Sequence, residues 1–171
     1  MGIPLGFCLI TSTSALSHTA THDVTLQVNE IVLIDLNDAT AITLTTNTPA
    51  AGGDTPLGDS DATKLLQYTS LVASGLTRSI SVQWDVADAA PTGTSLKVEA
   101  TSVPASCGTA AGLVTISSTA QDIITGIGSC ATGTGASGAA LTYTFSIDTV
   151  SSLVVGDNKT VTLTYTLTDG S

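Results

Sequence analysis

Apolar and polar residues alternate strictly in two stretches near the C-terminus of the chain. Between residues 141 and 148 every odd-numbered residue is apolar and every even-numbered one is Thr, Ser or Asp. Between residues 160 and 168 threonine occupies every even-numbered position and an apolar residue every odd-numbered one. A period of two is that of a β-strand with one buried face. We therefore expect two neighbouring antiparallel strands, joined across residues 149–158.

Shorter runs of the same kind recur along the chain, with Gly, Pro, Asn and Asp between them. About seven to nine short strands with turn signals between them predict an all-β fold, an immunoglobulin-like sandwich of two antiparallel sheets. Residues 118–128 have a short helical turn as an alternative. The further strand candidates are residues 24–28, 31–36, 41–46, 64–69, 78–86, 95–101 and 113–117.

The stretch 17–36 begins as an alternation and turns into an almost unbroken apolar run. After the alternation Asn29 and Glu30 interrupt, and residues 31–34 are all apolar. Such a change of phase indicates the first strand of the sandwich, either turning a corner between the sheets or buried on both faces. Alternatively, part of residues 1–36 adds as a strand to a neighbouring copy of the protein. The residues of this candidate assembly strand are Val24, Leu26, Val28, Ile31 and Leu33.

Charged residues make up only 11% of the chain, against about 25% in an ordinary soluble protein. Few charges are available to block pairing between strand edges, so the apolar run 24–36 is expected to be paired. The net charge of −10, with only four basic residues, repels phosphate backbones and anionic lipid headgroups. Nucleic acid is therefore not an expected partner.

Residues 1–17 are interpreted as a signal-like or N-terminal docking segment, and residues 18–171 as one β-sandwich domain. The segment has an apolar centre and ends in the small-x-small pattern Ala15-Leu16-Ser17, which favours export, although a basic stretch at its start is missing. Phe7 before Cys8 departs from the small residue of a bacterial lipoprotein signal. No other stretch reaches the 18 or more apolar residues of a membrane span. We therefore expect a secreted protein without a span in its mature chain.

Cys107 and Cys130 both lie in stretches rich in Gly, Ser and Ala. In an exported protein, two cysteines in such turns predict a disulfide. A two-cysteine metal site is the alternative, but neither His nor a further Cys lies near them in the sequence. The disulfide is the favoured interpretation.

Candidate catalytic and metal-binding groups are few. His18 and His22 would be about 13 Å apart in an extended segment, too far to share a metal ion. Asp54, Asp59 and Asp61 lie close together in sequence, which leaves calcium binding open, but they lack the spacing of an EF-hand loop. Neither a nucleophile motif nor a distinctive pair of carboxylates is present. We therefore expect a non-enzymatic protein without a cofactor.

The lone tryptophan and one sequon bear on glycans. Trp84 shares its strand face with Ile80, Val82 and Val86, which predicts a core position between the sheets rather than a sugar-stacking platform. Asn158 begins the sequence Asn-Lys-Thr, which matches the acceptor for N-glycosylation. The placement of Trp84, with aromatic residues making up only 4% of the chain, makes a glycan-binding surface the weaker hypothesis.

The run "SLKVEATSV", the cysteine pair in Gly- and Thr-rich turns and the terminal "KTVTLTYTLTDGS" together resemble secreted prokaryotic β-sandwich surface proteins, including subunits of extracellular filaments. Chaperone–usher pilins are similar in their alternating C-terminal strand and single disulfide, although their penultimate aromatic residue is missing here. The resemblance covers roughly residues 21–171. It implies a structural subunit at the cell surface that assembles with other copies of itself into a homopolymer, a pilus-like filament or a surface layer, with strand exchange as one route. The alternative is a monomeric secreted adhesion or glycan-binding domain, whose partner is a host or cell-surface glycan.

Overall fold

The computed structural model describes residues 18–168, which form a sandwich of two antiparallel sheets. This confirms the predicted all-β class and two-sheet architecture, while the immunoglobulin-like connectivity stays a prediction. The ten strands include three of only two residues, so the longer ones match the predicted number. The first sheet has the order β1 (Ile31–Leu36), β2 (Asp59–Leu71), β9 (Ala139–Ile147), β4 (Thr94–Thr101) and β6 (Val114–Thr115), with β8 (Cys130–Ala131) also paired to β2. The second has the order β10 (Leu163–Leu167), β3 (Arg78–Trp84), β7 (Gln121–Ile127) and β5 (Thr109–Ala110).

The core lies between the sheets and is built from the apolar positions of the alternating strands. Leu66 of β2 and Leu141 of β9 contribute from the first sheet, and Ile80 of β3 and Ile124 of β7 from the second, all fully buried. Each of these side chains removes enough apolar surface from water to stabilise the fold by about 1.5–3 kcal/mol. The predicted inward positions are confirmed for Leu141 and Tyr143 and for the apolar residues of 163–167, whereas Phe145 and Ile147 are only partly buried and lie outside the core cluster.

A pair of tyrosines links the two sheets through their hydroxyl groups. Tyr143 of β9 and Tyr165 of β10 have their oxygens 2.7 Å apart. Burial raises the pKa of both phenols. A buried hydroxyl needs a hydrogen-bond partner, and each tyrosine supplies the other's.

The two C-terminal alternating runs do not pair with each other, so that prediction was wrong. β9 lies inside the first sheet and β10 at the edge of the second. The connection between them crosses from one sheet to the other and contains a short 3₁₀ turn at Val150–Ser152. Alternation reports that one face of a strand is buried, and it carries no information about which sheet the strand joins.

Other predictions needed correction where the period of two breaks down. Residues 121–127 form β7 and not a helical turn, because register shifts in its pairing with β3 allow the adjacent Ile123 and Ile124 both to be buried. Residues 41–46 are not a strand, although Ile42 and Leu44 pack against the core. Their only regular pairing nearby is a bridge between Asn47 and Leu57.

The tryptophan face is less buried than its sequence pattern predicts. Ile80 and Val82 are fully buried, whereas Trp84 is only partly buried against the core. Val86 is 87% exposed because β3 ends at Trp84 and the chain turns away from the sheet. The prediction of a core position therefore holds for the first two residues, holds in part for Trp84 and is wrong for Val86.

The predicted disulfide between Cys107 and Cys130 is present, with the two Cα atoms 5.5 Å apart. It joins the turn after β4 to β8. Cys107 is fully buried, and its carbonyl accepts a hydrogen bond of 2.8 Å from the Tyr68 hydroxyl. The bridge thus ties a loop to the first sheet at a buried point.

Replacing both cysteines by serine should lower the free energy of unfolding by about 3 kcal/mol, since the bridge restricts the unfolded chain. Denaturant unfolding of the variant and the parent, with intact mass measured without reductant, checks this. A control that replaces only Cys8 should leave stability unchanged. Two free thiols at positions 107 and 130 in protein from its native source would contradict the bridge.

All three tyrosines should resist ionisation in the folded protein. Burial raises the pKa of Tyr68 to about 12 and raises those of Tyr143 and Tyr165 as well. Because the unfolded chain releases these protons near the usual value of about 10, stability is fully present below that pH and falls as pH rises above it. Phenolate absorbance should therefore appear together with loss of the β-sheet circular dichroism signal. Ionisation of all three phenols near pH 10 in the folded protein would contradict the burial.

Candidate assembly site

The segment before the sandwich exposes an alternating apolar face. Residues 18–30 are all exposed and belong to no strand. Val24, Leu26 and Val28 are 67%, 89% and 85% exposed. The prediction of a strand at residues 24–28 within the domain is therefore wrong. Its apolar face is left without a cover from the described part of its own chain.

The following apolar run is paired within the chain, as β1. Its predicted bounds are confirmed, and it pairs antiparallel with β2 from Ile31 opposite Leu71 to Leu36 opposite Leu66. It is an edge strand of the first sheet, so it neither passes between sheets nor is buried on both faces. Ile34 and Leu36 pack against the core, while Ile31 and Leu33 on the other face are 40% and 63% exposed.

An ion pair fixes the point where the exposed segment leaves the sandwich. Arg78, the first residue of β3, points inward, and its side chain is completely buried. Its guanidinium pairs with the carboxylate of Glu30, which is 63% exposed, and also donates to the Thr168 carbonyl at 3.4 Å. A buried guanidinium without a carboxylate is costly. Glu30 is therefore held against the sandwich, and residues 18–29 extend beyond it.

A second ion pair holds the chain on the far side of β1. The buried Lys64 donates from Nζ to Asp38 Oδ2 at 2.8 Å and to the Thr40 hydroxyl at 3.0 Å. Next to it, Asn37 exchanges hydrogen bonds with the backbone of Leu65. The hydrogen bond from Lys64, with smaller contributions from Thr40, holds the pKa of Asp38 well below its usual range. Ion pairs therefore hold the chain against the sandwich on both sides of β1, through Glu30 before it and Asp38 after it.

An opening lies where the edges of the two sheets meet. We call it the seam: a cavity of about 310 Å³ between β1 and β10. Its apolar lining comes from both sheets and from both edge strands. The lining residues are Ile34, Asp35, Leu36, Leu66, Leu163, Thr164 and Tyr165.

The other candidate groups do not converge. Asp59 accepts a hydrogen bond from the Thr45 backbone and Asp61 from Thr63, whereas Asp54 lies exposed in a turn. Within residues 18–168, no group of three or more His, Cys, Asp or Glu side chains is arranged to hold a metal ion. His18 and His22 are exposed.

Two further predictions concern glycosylation and the N-terminus. Asn158 is exposed in the loop before β10. The signal-like or docking segment 1–17, with Cys8, lies outside the described residues. The part of the chain that the structure describes contains no helix long and apolar enough to cross a lipid bilayer.

Sequence reasoning missed the two buried cations. Arg78 is in phase with the buried Ile80 and Val82, and Lys64 is in phase with the buried Leu66 and Tyr68. A basic residue on the apolar face of a predicted strand is a usable signal, because it needs an acidic partner from elsewhere in the chain. The sequence does not show which carboxylate that is.

Comparisons of the chain with protein-family models, with curated proteins and with solved structures gave no match. The function is therefore argued from the geometry of the exposed segment and the seam.

The ion pair at Asp38 should give a specific pH dependence. Because its folded-state pKa is depressed, the pair stabilises the protein above the ordinary carboxyl pKa of about 4 and this stability is lost as pH falls below it. Asp38→Asn should thus unfold at lower temperature than the parent at pH 7. The difference should narrow as pH falls from about 4 to 2. Asp54→Asn is the matched control, and a constant difference across this range would contradict the assignment.

Proposed function

We propose that the protein is a structural, non-enzymatic subunit of an extracellular filament or surface layer. In this assembly, residues 24–28 of each subunit add as a β-strand to a neighbouring copy. The observation that carries the proposal is the exposed segment 18–30, which belongs to no strand and in which Val24, Leu26 and Val28 alternate with polar residues. Burying three such side chains would contribute about 5–9 kcal/mol before the cost of ordering the segment. Main-chain hydrogen bonds to a sheet edge would add to this.

The surface composition supports assembly through strand edges. Ordinary β-proteins block their edges with charged residues, especially lysine. This chain has four basic residues in total, and Lys64 and Arg78 are buried in ion pairs. A contact between two different surfaces that does not close into a ring generates an open filament. The disulfide is typical of an oxidising, extracellular location.

The alternative, a monomeric adhesion or glycan-binding domain, needs exposed aromatic side chains on which a sugar can stack. In residues 18–168 every aromatic side chain is buried or partly buried. Trp84, the strongest candidate for such a platform, packs against the core. We therefore favour the structural subunit.

Replacing Val24, Leu26 and Val28 together by threonine should abolish assembly and leave the sandwich folded. The three side chains are exposed, so their loss removes contacts with the neighbouring copy and few within the domain. Negative-stain microscopy and sedimentation measure assembly, and thermal unfolding measures the fold. A synthetic peptide of residues 18–30 should bind the triple variant.

The matched control changes the opposite face of the same segment, with Thr21→Ser, Thr25→Ser and Gln27→Asn. It should assemble like the parent. Normal fibres from the triple threonine variant would overturn strand addition by this segment. Isolated particles from the parent protein under all assembly conditions would favour the monomeric adhesion domain.

A further inference from the structure

We propose that β10 accepts the strand, and that residues 24–28 of one copy lie antiparallel to β10 in the seam of the next. This inference rests on the proposed function. It names the surface that receives the segment, its direction and the resulting order of the subunits.

β10 presents an open backbone edge. In the described chain it pairs only with β3. The Thr168 N–H donates to the Ser79 carbonyl at 2.9 Å, and in an antiparallel pair the hydrogen-bonded positions alternate. The N–H and C=O groups of Leu163, Tyr165 and Leu167 therefore point away from β3. These three residues have the same two-residue spacing as Val24, Leu26 and Val28.

The side-chain faces determine which residues lie opposite each other in the antiparallel arrangement. Leu163, Tyr165 and Leu167 face the core side of β10. Opposite them, an added strand must also turn its apolar residues inward, since directly paired residues lie on the same face of a sheet. This places Val28 beside Leu163, Leu26 beside Tyr165 and Val24 beside Leu167. Across the seam, the inserted side chains meet Ile34 and Leu36 of β1, which are partly exposed.

The other edge of the seam is a poorer acceptor. The Leu36 N–H of β1 already donates to the Asp35 carboxylate at 2.8 Å. Asp35 itself is an exposed charge on that edge, a device that discourages strand pairing. β10 has no comparable charge, because its exposed residues are threonines.

The segment does not fill the seam of its own chain in this conformation. Glu30 is held on Arg78 at the Thr168 end of β10. An extended segment carries Leu26 about 13 Å from Glu30, and all of it is exposed. To enter its own seam, the chain would have to reverse at Asn29, and residues 24–28 would then run parallel to β10. A strand antiparallel to β10 therefore indicates a segment from a neighbouring copy, and a parallel strand indicates the segment of the same chain.

The antiparallel direction also explains an exposed apolar end of the sandwich. The loops that follow β3 and β9 lie together there, joined by hydrogen bonds from Thr162 to Asp88 and from Thr92 to Asp157 of 2.9 and 3.1 Å. They expose Val86, Val154 and Val155. An antiparallel strand leaves the seam at this end, so the donor subunit's sandwich sits over these valines. A parallel strand would leave them in water.

The subunits then stack with one order. The Arg78 end of each sandwich, from which the segment emerges, faces the valine-exposing end of the next. The donor and acceptor surfaces are different parts of the chain, so the contact is heterologous and repeats without closing.

Cysteine cross-linking between separately prepared variants tests the register, with Cys8→Ser in every protein. Gln27 and Thr164 are exposed, polar and directly opposite in the proposed pairing. Mixed copies carrying Gln27→Cys and Thr164→Cys should form a covalent dimer on oxidation, which mass spectrometry of the linked peptides identifies. The matched control, Thr25→Cys with Thr164→Cys, suits the parallel arrangement and should lose this cross-link.

Each possible cross-linking result tests a different part of the proposal. A predominant link between positions 25 and 164 would overturn the antiparallel direction, and a link within a single chain carrying both cysteines would overturn the neighbouring copy as donor. Fibres that require Val24, Leu26 and Val28 but yield no link to Thr164 would overturn the β10 acceptor and leave the proposed function intact. Failure of the parent to form fibres would instead remove the proposed function.

Val154→Thr with Val155→Thr should weaken assembly, and unchanged assembly would overturn the subunit order.

Discussion

The ion pair between Arg78 and Glu30 lies where the chain passes from the exposed residues 18–29 into the first sheet. A guanidinium at the inward end of β3 must find a carboxylate, and Glu30 provides it at the sandwich surface. The same contact divides an otherwise continuous apolar stretch. Residues after Glu30 enter the first sheet as β1, whereas residues 18–29 are exposed and belong to no strand. Glu30 therefore lies at the boundary between β1, which is paired within the sandwich, and the exposed residues Val24, Leu26 and Val28.

The sequence predicted the fold well where burial has a regular period. Residues 31–36 matched β1, and the alternation of residues 141–143 and 163–167 identified their buried faces. It failed where a bulge changes the period, as in β7, and where the sheet had to be assigned, as for β10. Pairing between distant strands depends on tertiary packing, which a local pattern does not encode.

The sequence predicted the residues of the assembly strand but not the seam. The five apolar residues of the assembly strand were visible in the sequence, but the structure separates them into an exposed set and a set already paired with β2. The seam was not visible, because it is lined by residues far apart in sequence, such as Leu36, Leu66 and Leu163. An opening of this kind arises from the way two sheet edges approach each other.

The two strand edges that border the seam differ in charge. Asp35 occupies the edge of β1 with a carboxylate and takes up a backbone donor, so this edge resists a further strand. The edge of β10 carries threonines, which fit a pleated strand and present no such barrier. A chain of net charge −10 still has a general repulsion between copies. In the proposed assembly, apolar burial and backbone pairing would have to outweigh this repulsion, and the seam beside β10 combines an apolar lining with an open strand edge.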